Sequence, residues 1–230
     1  MKTLIKMLLF AWASHLNAQT YWSSREYRIP GLGAKSSDVG VRYSNGGFAE
    51  DVDTLLLSFG HGRELNKNME GSVMAAIGYT DIPSADSYLN VELGGDLTPK
   101  YEFALESGAK IVPFARVGIT GNLFSNYRET TVGRDYFYRY YYATGDMFFD
   151  VYGNYSAGLS YVGVDNKWAV SSEIGKYQTL FGDLDFDYHT SFWTSQVYFK
   201  VGANSGIKLL YSVEAESKLK TVGLFWSRSF

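Results

Sequence analysis

The residues that could do chemistry in this 230-residue chain fall into three groups. The first is dispersed: Arg42, Glu92, Arg116, Glu173, Lys200, Lys208 and Glu214 each sit on the polar parity of a stretch that alternates apolar and polar residues. Opposite charges so placed could face one another across a narrow interior, where each is costly to leave alone. They would form either a salt-bridged filling or the lining of a narrow ion path, and Glu92 with Arg116, on neighbouring strands, is the pair expected to meet. The second group is local. In GDLDFDYHTSFW the residues Asp183, Asp185, Asp187, His189 and Ser191 share one parity, a row that could hold a divalent cation against lipid phosphates or offer a His and a Ser for attack on an ester. A solvated loop with a bulge, which re-aims parity, produces the same row without chemistry. The third group is the run SNYRETTVGRDYFYRYYYATGDMFF, with Arg134, Tyr136, Tyr138, Arg139, Tyr140 and Tyr142 close together. Tyr and Arg combine contact area with polar handles, the chemistry of a surface that recognises glycans or proteins.

Composition removes many alternatives. Cysteine is absent, which eliminates disulfides, thiolate nucleophiles and cysteine-based metal sites. With three histidines, a zinc site is not expected, and no metal or other cofactor is implied. No phosphate-cradling glycine loop or nucleophile elbow occurs. The net charge is -3 and no Lys/Arg cluster stands out, so nucleic acid is not an expected partner. The expectation is a non-enzymatic protein, with catalysis left open.

The elements that must position these residues are strands. Aromatic residues make up 17% of the chain, with 24 Gly and 4 Pro, a balance that suits pleated surfaces and turns. Ten stretches between Ser37 and Phe230 alternate with period two. Val39, Val41 and Tyr43, for example, oppose Asp38, Gly40 and Arg42, and Val222, Leu224 and Trp226 oppose Thr221, Gly223 and Phe225. The polar parities are rich in Gly, Ser, Thr and Asn, whereas Tyr43, Tyr79, Tyr88, Tyr161, Trp168, Trp193 and Trp226 lie at strand ends, where interfacial girdles would be. GRELNKNM, VDNK and ANSG read as tight turns at one end, and residues 125–148 as the longest loop at the other. LTPKYEFALESGA is long for a turn of the first kind, and YEFALE could be a further strand.

The first residues carry Lys2 and Lys6 before an apolar stretch from Met7 to Ala13, then small and polar residues to Ala18. This order reads as a secretory signal peptide, 1–18, followed by a periplasmic segment, 19–35, and a barrel over 36–230. No later segment has the roughly 18–20 apolar residues of a membrane helix, so an exported chain of this kind enters a membrane as strands. In lipid the edges of such strands must close on themselves. The expected fold is therefore all-β: an antiparallel up-and-down transmembrane barrel of about 10 strands, within a range of 8 to 12.

At this level the sequence resembles a family. KIVPFARVGITGNLF and NYSAGLSYVGVDNKWAVSSEIG resemble small outer-membrane β-barrel proteins of the OmpA and OmpX type, over about residues 36–230. The terminal run, with Val222, Leu224, Trp226 and Phe230, resembles the signal read by the outer-membrane assembly machinery, with Arg228 where that signal usually has an aromatic or apolar residue. The resemblance implies a Gram-negative outer membrane, contact with its lipids and lipopolysaccharide, and a scaffold or porin-like body that binds surface glycans or proteins through its loops. His189-Thr190-Ser191 also resembles the His-x-Ser of lipid A 3-O-deacylases, although the strand position of that motif holds Lys176-Tyr177-Gln178 here. A lipid A-modifying hydrolase and a narrow pore are the alternatives to a scaffold.

Overall fold

The computed structural model describes residues 28–46, 53–81, 88–131, 141–182, 189–215 and 218–229. The expected signal peptide, Arg134 to Tyr140, Asp183 to Asp187 and Phe230 lie outside them. The strands are β1 (Lys35–Asn45), β2 (Asp53–Asn66), β3 (Met69–Asp81), β4 (Tyr88–Pro99), β5 (Phe103–Ala104), β6 (Lys110–Thr131), β7 (Tyr141–Val162), β8 (Trp168–Gly182), β9 (His189–Lys200), β10 (Ser205–Glu214) and β11 (Lys220–Ser229).

Each long strand pairs antiparallel with its neighbour in sequence, and β1 closes on β11 with Val41 opposite Leu224 and Tyr43 opposite Val222. β4 pairs directly with β6, Glu92 standing opposite Asn122, so β5 is a two-residue flap on the β6 edge and not a member of the ring. Among the described residues the barrel therefore has ten long strands, and no backbone edge is left for lipid to solvate. YEFALE contributes only β5: its chain turns back at Gly108, whose φ of 84° favours glycine, and Pro113 carries no amide but its carbonyl accepts from Tyr101.

The period-two pattern is what sorts the faces. Along β11 every second residue is buried, and the buried set, Thr221, Gly223, Phe225 and Ser227, lies opposite the apolar Val222, Leu224 and Trp226. Outward residues are apolar and open, with Leu224 57% exposed and Ile174 67%, whereas the inward Arg42, Glu92 and Lys208 are 2% exposed or less. A water-soluble barrel would have the reverse arrangement, so this polarity makes the chain a transmembrane β-barrel.

The tight turns collect at one rim: Lys67 and Asn68, the 3-10 turn Val164–Asn166, and residues 201–204. Asp165 and Asn166 take φ of 57° and 55° there, the left-handed region that Asp and Asn tolerate better than most residues. At the other rim the strands run on into segments outside the described residues. Of the expected girdle residues, Tyr43, Tyr79, Trp168, Trp193 and Trp226 are exposed, and Tyr161 stacks on Trp168 with ring centroids 4.9 Å apart. Tyr88 departs from that group: it shares parity with Asn90 and Glu92, points inward and is buried.

Candidate functional site: a charged interior closed by an N-terminal strap

The inward parities deliver most of the predicted charges to one interior. Arg42 on β1 reaches Glu92 on β4 with an Nη2 to Oε2 distance of 2.6 Å, and its Nε donates to Ser58 at 2.7 Å. Arg116 on β6 grips Glu173 on β8 through Nη1, 2.8 Å and 3.0 Å from the two carboxylate oxygens. Its Nε lies 3.5 Å from Asp96 and donates to Thr98 at 3.2 Å. Ser156 also donates to Glu173. On the opposite wall Lys208 pairs with Asp38 at 2.9 Å and stands 5.2 Å from the Phe225 ring centroid. Arg42, Glu92, Arg116, Glu173, Lys208 and Asp38 are buried and the Asp96 side chain is nearly so, so each ion loses hydration and recovers it from its partner and the surrounding hydroxyls.

Two expectations need correcting. Glu92 and Arg116 are on hydrogen-bonded strands but do not pair, because Glu92 stands opposite Asn122 and Arg116 comes six residues earlier on β6, past the level of Leu97. Each finds its partner across the lumen instead. Lys200, at the last position of β9, is exposed at the rim and is not part of the buried set. Glu214 is inward and buried near the other end, at the level of Phe192.

The short-turn mouth is stoppered by the chain's own N-terminal segment. Residues 28–33 enter the barrel, where Ile29 and Leu32 pack with Val112, Val162, Ala169 and Tyr198. A Cβ on Gly31 would stand 2.8 Å from Val112 Cγ2, and Gly31 has φ of 82°, so only glycine passes here. Arg28 donates from Nε to Glu70 at 2.8 Å, from Nη1 to the Gly62 carbonyl at 3.1 Å and from Nη2 to the Gly33 carbonyl. Its own carbonyl accepts from Arg116 at 3.0 Å. Glu70 also accepts the Gly31 amide at 3.0 Å and the Lys100 ammonium at 2.8 Å. The described part of the expected periplasmic segment is thus seated inside the rim.

Lys100 continues the chain of charges outward, to Glu64 at 3.0 Å and Glu102 at 2.5 Å, and Lys110 reaches Glu102 at 2.9 Å. Burial works to lower the Lys100 pKa, but the carboxylates of Glu102, Glu70 and Glu64 outweigh it and carry it up to about 12. Burial likewise acts to raise the Glu102 carboxyl, and its hydrogen bonds from Lys100 and Lys110 overcome this and hold it below its ordinary value. At the far end of the interior Tyr177 stacks on Phe192 at 4.4 Å, with Tyr152 and Leu219 beside them.

Arg28, Asp38, Glu70, Asp96 and Lys100 are interior charges that the expected set lacks. Among the described residues no group of His, Asp and Glu is arranged to hold a metal ion. Ser191 is outward and half-buried beside Trp193, with the backbone of His189 at the start of β9. Val222, Leu224 and Trp226 face outward on β11 at 48%, 57% and 49% exposure. Of the Tyr/Arg run, Tyr142 falls in β7, its backbone opposite Thr130.

No protein-family model matches the chain, and no curated protein matches it. Solved structures similar to it include the translocator domain of the autotransporter NalP from Neisseria meningitidis, 9% identical, with 99% of this chain and 98% of that one covered and a TM-score of 0.47. An outer membrane channel from Pseudomonas putida F1 is 11% identical over 89% and 100% of the two chains, with a TM-score of 0.46. The N-terminal β-barrel domain of Pseudomonas aeruginosa OprF is 11% identical over 85% and 98%, with a TM-score of 0.37. At such identities and TM-scores no activity passes from these proteins to this chain.

Proposed function

We propose that the protein is an integral barrel of the Gram-negative outer membrane whose body is a sealed, non-enzymatic scaffold and whose outer loops bind at the surface. The observation that carries this reading is the inverted polarity: apolar side chains outside, and inside a set of buried ion pairs that includes Arg42–Glu92, Arg116–Glu173 and Lys208–Asp38. A barrel of about eight to ten strands is filled by its own side chains, and here the strap over residues 28–33 adds a stopper at one mouth. That supports a plugged lumen over an ion path. The short-turn rim, where the N-terminal segment enters, is taken as the periplasmic side.

In this reading the partners are outer-membrane lipids, lipopolysaccharide, the assembly machinery acting through Val222, Leu224, Trp226 and Phe230, and a surface glycan or protein met by the segment Arg134 to Tyr142. The test has two arms. Purified outer membranes should contain the protein in a form that migrates differently on gels before and after boiling; recovery as a monomer from aqueous extracts without detergent overturns the placement. Planar bilayer recordings should give no steady conductance from the wild type, and a stable single-channel current overturns the plug. Loss of cell or glycan binding on deleting residues 127–144, with heat-modifiable migration retained, is the result expected of a recognition hairpin.

A further inference from the structure

Just above the short-turn rim, the outer wall has a depression that the strand pattern does not require. Across β2, β3, β4 and β6 the outward residues Leu65, Val73, Leu97, Val117 and Ile119 stand up, but Gly71 and Gly95 fall at outward positions between them and carry no side chain. The result is a groove of about 670 Å³, a volume of the order that holds a small ligand. Away from β1 its lining is apolar apart from Ser72 and Asp96, which hydrogen-bond to each other. Its edge toward β1 is not, because His61 and Arg63 both line it.

That edge carries an unusual pairing. Lys35 and Arg63 are register partners on β1 and β2, both outward and exposed. Like charges directly opposite in a sheet destabilise the pair, with Cβ atoms about 5 Å apart. Among the described residues neither cation has a carboxylate partner in an ion pair. One step along, His61 Nδ1 shares a hydrogen bond of 2.9 Å with Ser37 Oγ, so two cations, an imidazole and a hydroxyl form a square on the wall. An anion over this square relieves the repulsion, and a hydrocarbon chain in the adjoining groove covers Gly71 and Gly95.

We infer that this groove is a site for one phospholipid of the periplasmic leaflet, with an anionic headgroup phosphate held by Lys35 and Arg63 and an acyl chain laid over Gly71 and Gly95. The inference rests on the outer-membrane placement proposed above. Charge complementarity chooses the occupant: a second copy of the chain would bring the same cations to the contact, whereas an anionic lipid supplies both the charge and the apolar tail. The groove also ends beside the Lys67–Asn68 turn, at the depth where a headgroup of that leaflet lies.

Native mass spectrometry of the full-length barrel in neutral detergent tests it, with dioleoyl phosphatidylglycerol titrated against dioleoyl phosphatidylcholine. The expected result is one phosphatidylglycerol retained in preference to phosphatidylcholine. Lys35→Gln/Arg63→Gln should weaken that binding about tenfold or more, the scale of losing a hydrogen bond to a charged group. A Cβ on Gly71 would have Leu65 Cδ1 at 3.3 Å and Leu97 Cδ2 at 3.6 Å as its nearest neighbours. Gly71→Leu should therefore fill the groove and displace the lipid while both cations remain. Equal retention of the two lipids, unchanged binding by both variants, preference for lipopolysaccharide, or a barrel dimer in place of the lipid adduct each overturns the site. A protein that needs no detergent before any lipid is added fails the placement instead, so the two failures are separable.

Discussion

Replacing Glu70 by alanine should release the N-terminal strap while the barrel stays closed. Ordering the six residues 28–33 costs about 6–12 kcal/mol in backbone entropy at about 1–2 kcal/mol each. Burying the side chains of Ile29 and Leu32, 1% and 6% exposed, returns about 3–6 kcal/mol. At the middle of those ranges the remainder, about 4–5 kcal/mol, has to come from polar contacts, and Glu70 makes three of them, to Arg28, the Gly31 amide and Lys100. Removing one member of a buried ion pair costs about 3–5 kcal/mol, which is the size of that remainder. The variant strap should then lose its net stability inside the barrel. Because the chain has no cysteine, an Ile29→Cys substitution gives a unique reporter, and cysteine itself is a small apolar side chain that suits the site. Maleimide labelling of Ile29→Cys should be slow in the parent barrel and faster by about a hundredfold or more with Glu70→Ala, following roughly 3 kcal/mol of lost protection. Equal labelling rates in the two backgrounds would refute the assignment of Glu70 as the anchor.

Glu173→Gln should lower the temperature at which the barrel loses its unboiled gel mobility, because Arg116 stays buried with its main carboxylate gone, a loss of about 3–5 kcal/mol. Leu57→Arg, on the outward face opposite Val41 and Ile77, should reduce folding into lipid vesicles by about 2–4 kcal/mol, whereas Leu57→Phe should not. Acid should loosen the turn over residues 100–110: the Glu102 pKa is depressed in the folded state, so its contribution is complete above the ordinary carboxyl value of 4.5 and is lost as pH falls through the lower folded value. Lys100 has the opposite sign, being raised to about 12 from 10.5, so its contribution is complete below pH 10.5 and vanishes as pH climbs through about 12. Hydrogen exchange of residues 100–110 from pH 3 to 8 should show protection that falls only at the acid end.

What was legible in the sequence was the parity of each strand, because lipid outside and polar groups inside impose opposite chemistry on alternate residues. Parity says nothing about which inward charge meets which. That depends on barrel circumference and stagger, which is why Arg116 finds Glu173 on β8 instead of Glu92 on β4. Glu70 escaped notice for a smaller reason: the alternation read from GSVMAAIGYT begins at Gly71, although extending it by one residue places Glu70 with Ser72 and Met74 on the inner face. Tyr88 was available in the same way, from its parity with Asn90 and Glu92. Arg28 had no strand pattern to announce it. The signal there was RIPGLG, two apolar residues among turn formers, which reads as a loop until the barrel supplies the cavity that Ile29 and Leu32 fill.

The length of one hairpin ties the scaffold to the proposed surface role. β10 and β11 have 10 residues each, close to the nine to eleven that cross the hydrocarbon at a tilt near 45°. β6 and β7 have 22 each and stay in register from Lys110 opposite Val162 to Thr131 opposite Tyr141. At a rise of about 3.3 Å per residue and that tilt, their length projects to about 50 Å along the membrane normal, against an apolar band about 25 Å tall. Since β6 starts at the short-turn rim, the whole excess of about 25 Å stands beyond the opposite face. Strands that long are not needed to close a barrel or fill it, and an exposed two-stranded ribbon is marginal on its own. In the sequence the densest set of tyrosines and arginines, Arg134 to Tyr142, follows β6 and runs into the first residues of β7. In the proposed reading, a filled barrel whose β6 and β7 run on past the outer face is the arrangement expected of a protein that presents a binding surface and passes nothing through its centre.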